Sequence, residues 1–102
     1  STPETGFDCS GYVCWVYNQN GYNVGRTTAN GLWNKCQHIS EAEAKPGDLV
    51  FFKGTYDTPG MSHTGIYLGN GMMVSAGDPI KYANIHSSYW QKYLSGFGRL
   101  SK

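Results

Sequence analysis

Apolar residues fall along this chain in short blocks of differing period, divided by glycine, proline and asparagine. Residues 9–19 carry no charge at all. They follow Asp8, a good N-cap, and precede Gly21, suited to the position just past a helix end. This predicts a helix over 9–19, buried on most sides. A second short helix is predicted from Ala29 to Gln37, capped by Thr27 or Thr28, with Leu32 and Trp33 turned inward. Lys45-Pro46-Gly47-Asp48 reads as a turn, and the apolar run Leu49-Val50-Phe51-Phe52 as a central strand. Tyr56 to Ser62 reads as a loop punctuated by Pro59-Gly60. Thr64 to Leu68 and Met72 to Ser75 flank Asn70-Gly71, the strongest short-range hairpin signal. Ile80 to Ile85 predicts a further strand. Ser87 or Ser88 can cap one helical turn through Trp90 and Tyr93, and Gly96 to Leu100 closes as a last strand. Helices first and an antiparallel meander after them make an α+β domain.

Composition narrows what such a domain can be. The 102 residues suit one core; 39% are apolar, with eight Tyr, four Phe and three Trp to fill it. Seven acids against eight bases leave a net charge of +1. This argues against a disordered tail and against a nucleic-acid binder relying on a basic patch. No apolar run approaches the roughly 20 residues of a spanning helix, so membrane insertion is not expected. The N-terminal Ser1 to Gly6 resembles neither a signal peptide nor an initiating start, which predicts a piece of a longer chain.

Three cysteines cannot all pair within one chain, so at least one thiol is free or intermolecular. On a helix, Cys9 and Cys14 point roughly 140° apart, which suits neither a disulfide nor a shared metal. His38, His63 and His86 do not fall at zinc-finger spacings, and no metal site is expected. Cys9, by contrast, occupies the first turn of its helix, where unpaired N–H groups and the dipole favour thiolate. Those same N–H groups can receive a developing oxyanion, and Ser10-Gly11 leave room for a carbonyl to approach. His63 lies between a loop and a strand whose next residues, Thr64 and Gly65, are small. A Cys–His pair suffices for nucleophilic catalysis without a cofactor. Cys14 and Cys36 read as small core residues, His38 as exposed and His86 as structural.

Three blocks carry a family resemblance: Gly6 to Val13 around Asp8-Cys9-Ser10-Gly11, Lys45 to Phe52, and Ser62 to Gly71 around His63-Thr64-Gly65-Ile66-Tyr67. In this order they resemble the NlpC/P60 family, papain-like cysteine peptidases of bacterial cell walls. The resemblance implies a nucleophile helix packed on a central antiparallel sheet of about five strands. It also implies a secreted protein acting at the cell wall on peptidoglycan stem peptides, between D-glutamate and a diamino acid. Cys9 corresponds to the nucleophile and His63 to the base. Asp8 and Ser10 match positions that in some members contact the amino end of the substrate peptide. Many relatives join this domain to others, and members usually carry a helix and a tyrosine-containing stretch before the cysteine block. This chain starts after that point, so residues 1–102 read as a catalytic domain lacking its first helix.

One position departs from the family. The third polar residue, most often His and sometimes Asn or Gln, is replaced by Ser75, twelve residues after His63. Such a residue holds the imidazole in one tautomer and orientation. A three-residue Gly69-Asn70-Gly71 connection would set Leu68 opposite Met72 and Gly65 opposite Ser75. Ser75 would then share a face with His63. A two-residue Asn70-Gly71 turn would instead bring Asp78 opposite His63. The family pattern favours Ser75. The leading reading is thus a peptidase using Cys9, His63 and Ser75, with Tyr56, Tyr82 or Tyr89 available to line a groove. The competing readings are a cell-wall binding module of the same fold without turnover, and an amidase or acyl-transfer enzyme using the same dyad.

Overall fold

A computed structural model describes residues 9–55, 60–75 and 81–101, with the side chains of residues 9, 10 and 81 outside the described set. Its elements are α1 (Cys9–Gln19), α2 (Ala29–Lys35), β1 (Gln37–Ile39), a 3-10 turn at Glu41–Glu43, β2 (Leu49–Lys53), β3 (Met61–Gly69), β4 (Met72–Ser75), β5 (Lys81–Asn84), α3 (Ser88–Tyr93) and β6 (Leu94–Arg99). The strands form one antiparallel sheet in the order β1-β6-β2-β3-β4-β5. The class is α+β, as the element order predicts.

The sheet has six strands where about five were expected, and β1 is the addition. It comes from the end of the second helix, which stops at Lys35 rather than Gln37. Cys36 turns extended while its N–H still closes on the Trp33 carbonyl. The chain then runs along β6, pairing Gln37 with Arg99 and Ile39 with Phe97. Two glycines of β6 make this possible by close approach. A Cβ at Gly96 would lie 2.8 Å from the Trp33 ring, and one at Gly98 would lie 2.6 Å from the Cys36 Cβ. At the other end of α2, Thr28 is the cap, its hydroxyl accepting from the Gly31 N–H at 3.0 Å.

The central strand β2 separates two cores, because its side chains alternate across the sheet. Leu49 and Phe51 join Val13, Cys14, Tyr17, Leu32 and Met61 under α1 and α2. Val50 and Phe52 join Tyr67, Met73, Ile85 and Phe97 on the opposite side, where Trp90 and Tyr93 of α3 pack. Leu32, Leu49, Val50, Phe51 and Phe52 are all wholly buried. Each such side chain contributes about 1.5–3 kcal/mol through apolar surface removed from water.

An ion pair joins the start of β2 to the end of β6, its neighbour in the sheet. Asp48, buried at the start of β2, accepts from Arg99 Nε at 3.0 Å, from Arg99 Nη2 at 2.7 Å and from the Lys45 backbone N–H at 2.8 Å. Tyr17 donates its hydroxyl to the Gly47 carbonyl of the same turn. The Lys45-Pro46-Gly47-Asp48 turn is thereby clamped both to β6 and to α1.

Candidate active site

The hairpin register decides which residue meets His63. The structure combines features of both expected connections. Gly69 pairs with Met72 across a two-residue turn, with Asn70 at φ 54° and Gly71 at φ 77°, the left-handed pair that a type I′ turn requires. A bulge between Tyr67 and Gly69 then restores the register that the longer connection predicts, setting Gly65 opposite Ser75. The expected Leu68–Met72 pairing is therefore replaced by Gly69–Met72. Gly69 supplies the φ of 90° that the bulge needs.

His63 stands in β3 itself rather than at its mouth, since the strand begins at Met61 and includes Ser62. Ser62 enters the strand because its hydroxyl is held by Thr55, accepting from its N–H at 3.1 Å and lying 2.7 Å from its Oγ1. On the face that His63 shares with Gly65, Nε2 of the imidazole lies 2.8 Å from Ser75 Oγ. Both residues are buried, His63 being only 4% exposed. Gly65 is required between them for a reason of packing. A Cβ there would sit 2.7 Å from Met73 Sδ and 2.9 Å from the Val74 carbonyl oxygen.

The imidazole also lies in an aromatic corner. Phe52, its direct cross-strand partner, has its ring centroid 5.7 Å away. Trp90 stacks at 5.1 Å with 27° between the planes. Burial pushes the His63 pKa down from 6.5 to about 4, so at neutral pH the ring is an uncharged base. The sequence marks Trp90 only as part of a helical turn; its contact with His63 is tertiary and has no local signal.

Cys9 is the first residue of α1, and Ser10 follows it in the same turn; their side chains, and the whole of Asp8, lie outside the described residues. Tyr56 and Asp78 lie outside them too. What can be described is the helix that Cys9 opens. Its residues Val13, Cys14 and Tyr17 share a core with Met61 and Ile66 of β3, the strand bearing His63.

The remaining cysteines and histidines have other partners. Cys14 is buried, with Sγ 3.8 Å from the Thr27 carbonyl. Burial, followed by the nearby Asp48 charge, pushes the Cys36 thiol up to about 12, so it stays protonated and a poor nucleophile. His38 is exposed, stacks on Trp33 at 3.5 Å and bonds the Trp33 carbonyl. His86 pairs with Glu41 at 2.5 Å. Tyr89 and Tyr82 are both exposed. Tyr89 sits edge-on to Trp90, whereas Tyr82 pairs with Val74 on the edge strand. Among the described residues, no group of three or more His, Cys, Asp or Glu is placed to hold a metal ion.

A six-stranded antiparallel sheet, a cysteine opening the helix packed on it, and a buried histidine bonded to a polar residue of the next strand together define an α+β class with a distinctive strand order. The chain matches the NlpC/P60 family model over residues 1–99 and belongs to that family. It is 48% identical over 101 residues to the bifunctional muramidase/DL-endopeptidase CwlT of Bacillus subtilis, covering 98% of this chain and 30% of that protein. It is 52% identical over 97 residues to the probable endopeptidase p60 of Listeria monocytogenes, covering 94% of this chain and 19% of that one. A crystal structure of a Staphylococcus aureus NLP/P60-family protein, described as similar to a lipoprotein, superposes with a TM-score of 0.93. The identity there is 41%, covering 99% of this chain and 34% of that one. The chain thus spans between about a fifth and about a third of the length of these relatives.

Proposed function

We propose that the chain is the cysteine endopeptidase domain of a peptidoglycan hydrolase, acting on stem peptides at the bond between D-glutamate and a diamino acid. The observation that carries this reading is the buried His63–Ser75 bond, on a strand packed against the helix that Cys9 opens. Family membership and relatives named as endopeptidases support it.

In the proposed mechanism, neutral His63 donates its Nε2–H to Ser75 Oγ, which leaves the Nδ1 lone pair for the Cys9 thiol. As sulfur attacks the scissile carbonyl, the thiol proton passes to Nδ1. The oxyanion is received by backbone N–H groups in the first turn of α1. The imidazolium returns its proton to the leaving amine as the C–N bond breaks, and a thioester remains on Cys9. Water, deprotonated by His63, attacks the thioester; the peptide carboxylate leaves and the thiol is restored. Asp8 and Ser10 contact the amino end of the substrate. This sequence of steps uses no metal and no cofactor. The setting is the bacterial cell wall, outside the cell, with this domain carried in a longer parent chain.

Incubating purified muropeptides with the protein and with Cys9→Ala, followed by mass spectrometry, tests this reading. Stem-peptide cleavage by the wild type alone is expected; equal product from both would overturn the assignment of Cys9. A second reading has one observation in its favour: Ser75 offers a neutral hydroxyl where an imidazole or amide would orient more firmly. On that reading the domain binds the stem peptide without turnover, and the wild type would retain muropeptides while releasing no product.

A further inference from the structure

We propose that Trp90 is a positioning residue for His63, setting the plane of the imidazole that Ser75 alone leaves underdetermined. The inference rests on the Cys9–His63 reading above and extends it to α3. A hydroxyl is a rotor: its one bond at 2.8 Å fixes the position of Nε2 but not the tilt of the ring about that point. An amide or a second imidazole would add a plane of its own.

Here the plane is supplied by the aromatic corner. Trp90 lies nearly parallel to the imidazole, with 27° between the rings, while Phe52 meets it at 51°. Phe52 and Trp90 also touch each other, centroids 4.7 Å apart, so the three rings form a closed triangle. Phe52 belongs to the sheet and is wholly buried. Trp90 comes from a helix of six residues and is only half-buried, so its placement needs separate support. Gln91 Nε2 supplies it by tying the helix to the Ile85 carbonyl at 3.0 Å, and Tyr89 of the same helix meets the indole edge-on at 4.9 Å. The indole face gives a second benefit when the ring takes up the thiol proton, because a cation is attracted to an aromatic face.

The test compares Trp90→Leu, which keeps apolar bulk without a ring, with Trp90→Phe, which keeps a ring. Three readouts are used: steady-state kinetics on a muropeptide, the 15N shifts of His63, and thermal melting to establish that each variant folds. Trp90→Leu is expected to lower kcat about tenfold or more through misplacement of the base, with KM changed by less than about twofold. Its neutral His63 should show mixed tautomers, where the wild type is expected to carry its proton on Nε2 alone. Trp90→Phe should recover most of kcat and the single tautomer. An unchanged tautomer and kcat in Trp90→Leu, or equal losses in both variants, would overturn the proposal. If the wild type and Cys9→Ala give equal product, the Cys9–His63 reading fails; the tautomer comparison still decides the role of Trp90.

Discussion

The two faces of the sheet are covered by different elements and bury different groups. The face under α1 and α2 is closed by two helices with Val13, Cys14, Leu32, Leu49 and Phe51 at or below 1% exposure. The buried hydroxyls of Thr64 and Tyr17 there are satisfied by the Val50 and Gly47 carbonyls. The opposite face is covered by a six-residue helix whose N-cap, Ser87, makes no side-chain capping bond. That face also buries an imidazole, which costs stability whenever the ring is charged. Val50, Phe52, Met73 and Ile85 there are wholly buried too, so the faces differ in what covers them and in what they bury, and the difference teaches that a titratable ring can be held in a fixed place within an equally dry core.

Replacing His63 should break the comparison most strongly. His63→Gln keeps a polar partner for Ser75 but removes the proposed base, and cleavage should fall about a thousandfold on the usual worth of a general base. The same variant isolates the stability cost of burial. With a folded pKa of about 4 against 6.5, the unfolded chain binds the proton and the folded chain does not between those values. The stability of the wild type should therefore fall as pH drops from about 6.5 to about 4, by about 3 kcal/mol from this group, and lose nothing from it above 6.5. In denaturant titrations across that window, His63→Gln should lack this part of the slope. Equal slopes in the two proteins would mean that His63 is not buried as described.

The helix-covered face should respond in the opposite sense. Leu32 is wholly buried on α2, and Leu32→Ala should cost about 2–5 kcal/mol of unfolding free energy through the lost side chain and the cavity left behind. Below its melting temperature, the titration of His63 should be unchanged, because the cavity lies across the sheet from the imidazole, whereas kcat can fall through α1, which shares this core with Leu32 and opens at Cys9. A shifted His63 titration in the folded variant would show that the two faces are coupled.

How legible each face was in the sequence follows the same division. Helix α1 and strand β2 are visible because an uncharged segment between Asp8 and Gly21, and a run of four apolar residues after a Pro-Gly turn, each have one sensible reading. His63 and Ser75 could be paired because strand parity carries information across a hairpin once its register is known. The register itself was ambiguous, since Asn70-Gly71 announces a two-residue turn while the bulge beside Gly69 adds back the missing residue. Strand β1 was hidden for another reason. Gln37 and His38 are exposed, so the strand is defined by backbone pairing with β6 rather than by apolar alternation. The stacking of Trp90 on His63 depends on how α3 folds back over the sheet, which no local pattern encodes. The pairing of buried Asp48 with partly exposed Arg99, far apart in sequence but side by side on neighbouring strands, has no local signal either.

The smallest expected effect sharpens the comparison at its finest point, the choice between Ser75 and Asp78. The Gly65–Ser75 register puts the serine hydroxyl on the imidazole. Ser75→Ala should therefore lower kcat by about tenfold, a modest loss because the stacked rings continue to hold the imidazole after its hydrogen bond is gone. Asp78→Ala should leave kcat unchanged, since the alternative register that would bring it opposite His63 is not the one adopted. The kinetics of the two variants on the same muropeptide make the check. A damaging Asp78→Ala with a silent Ser75→Ala would mean that the hairpin works in the other register. If Ser75→Ala instead cost a thousandfold, Ser75 would be orienting the ring unaided, and the aromatic corner would be packing and nothing more.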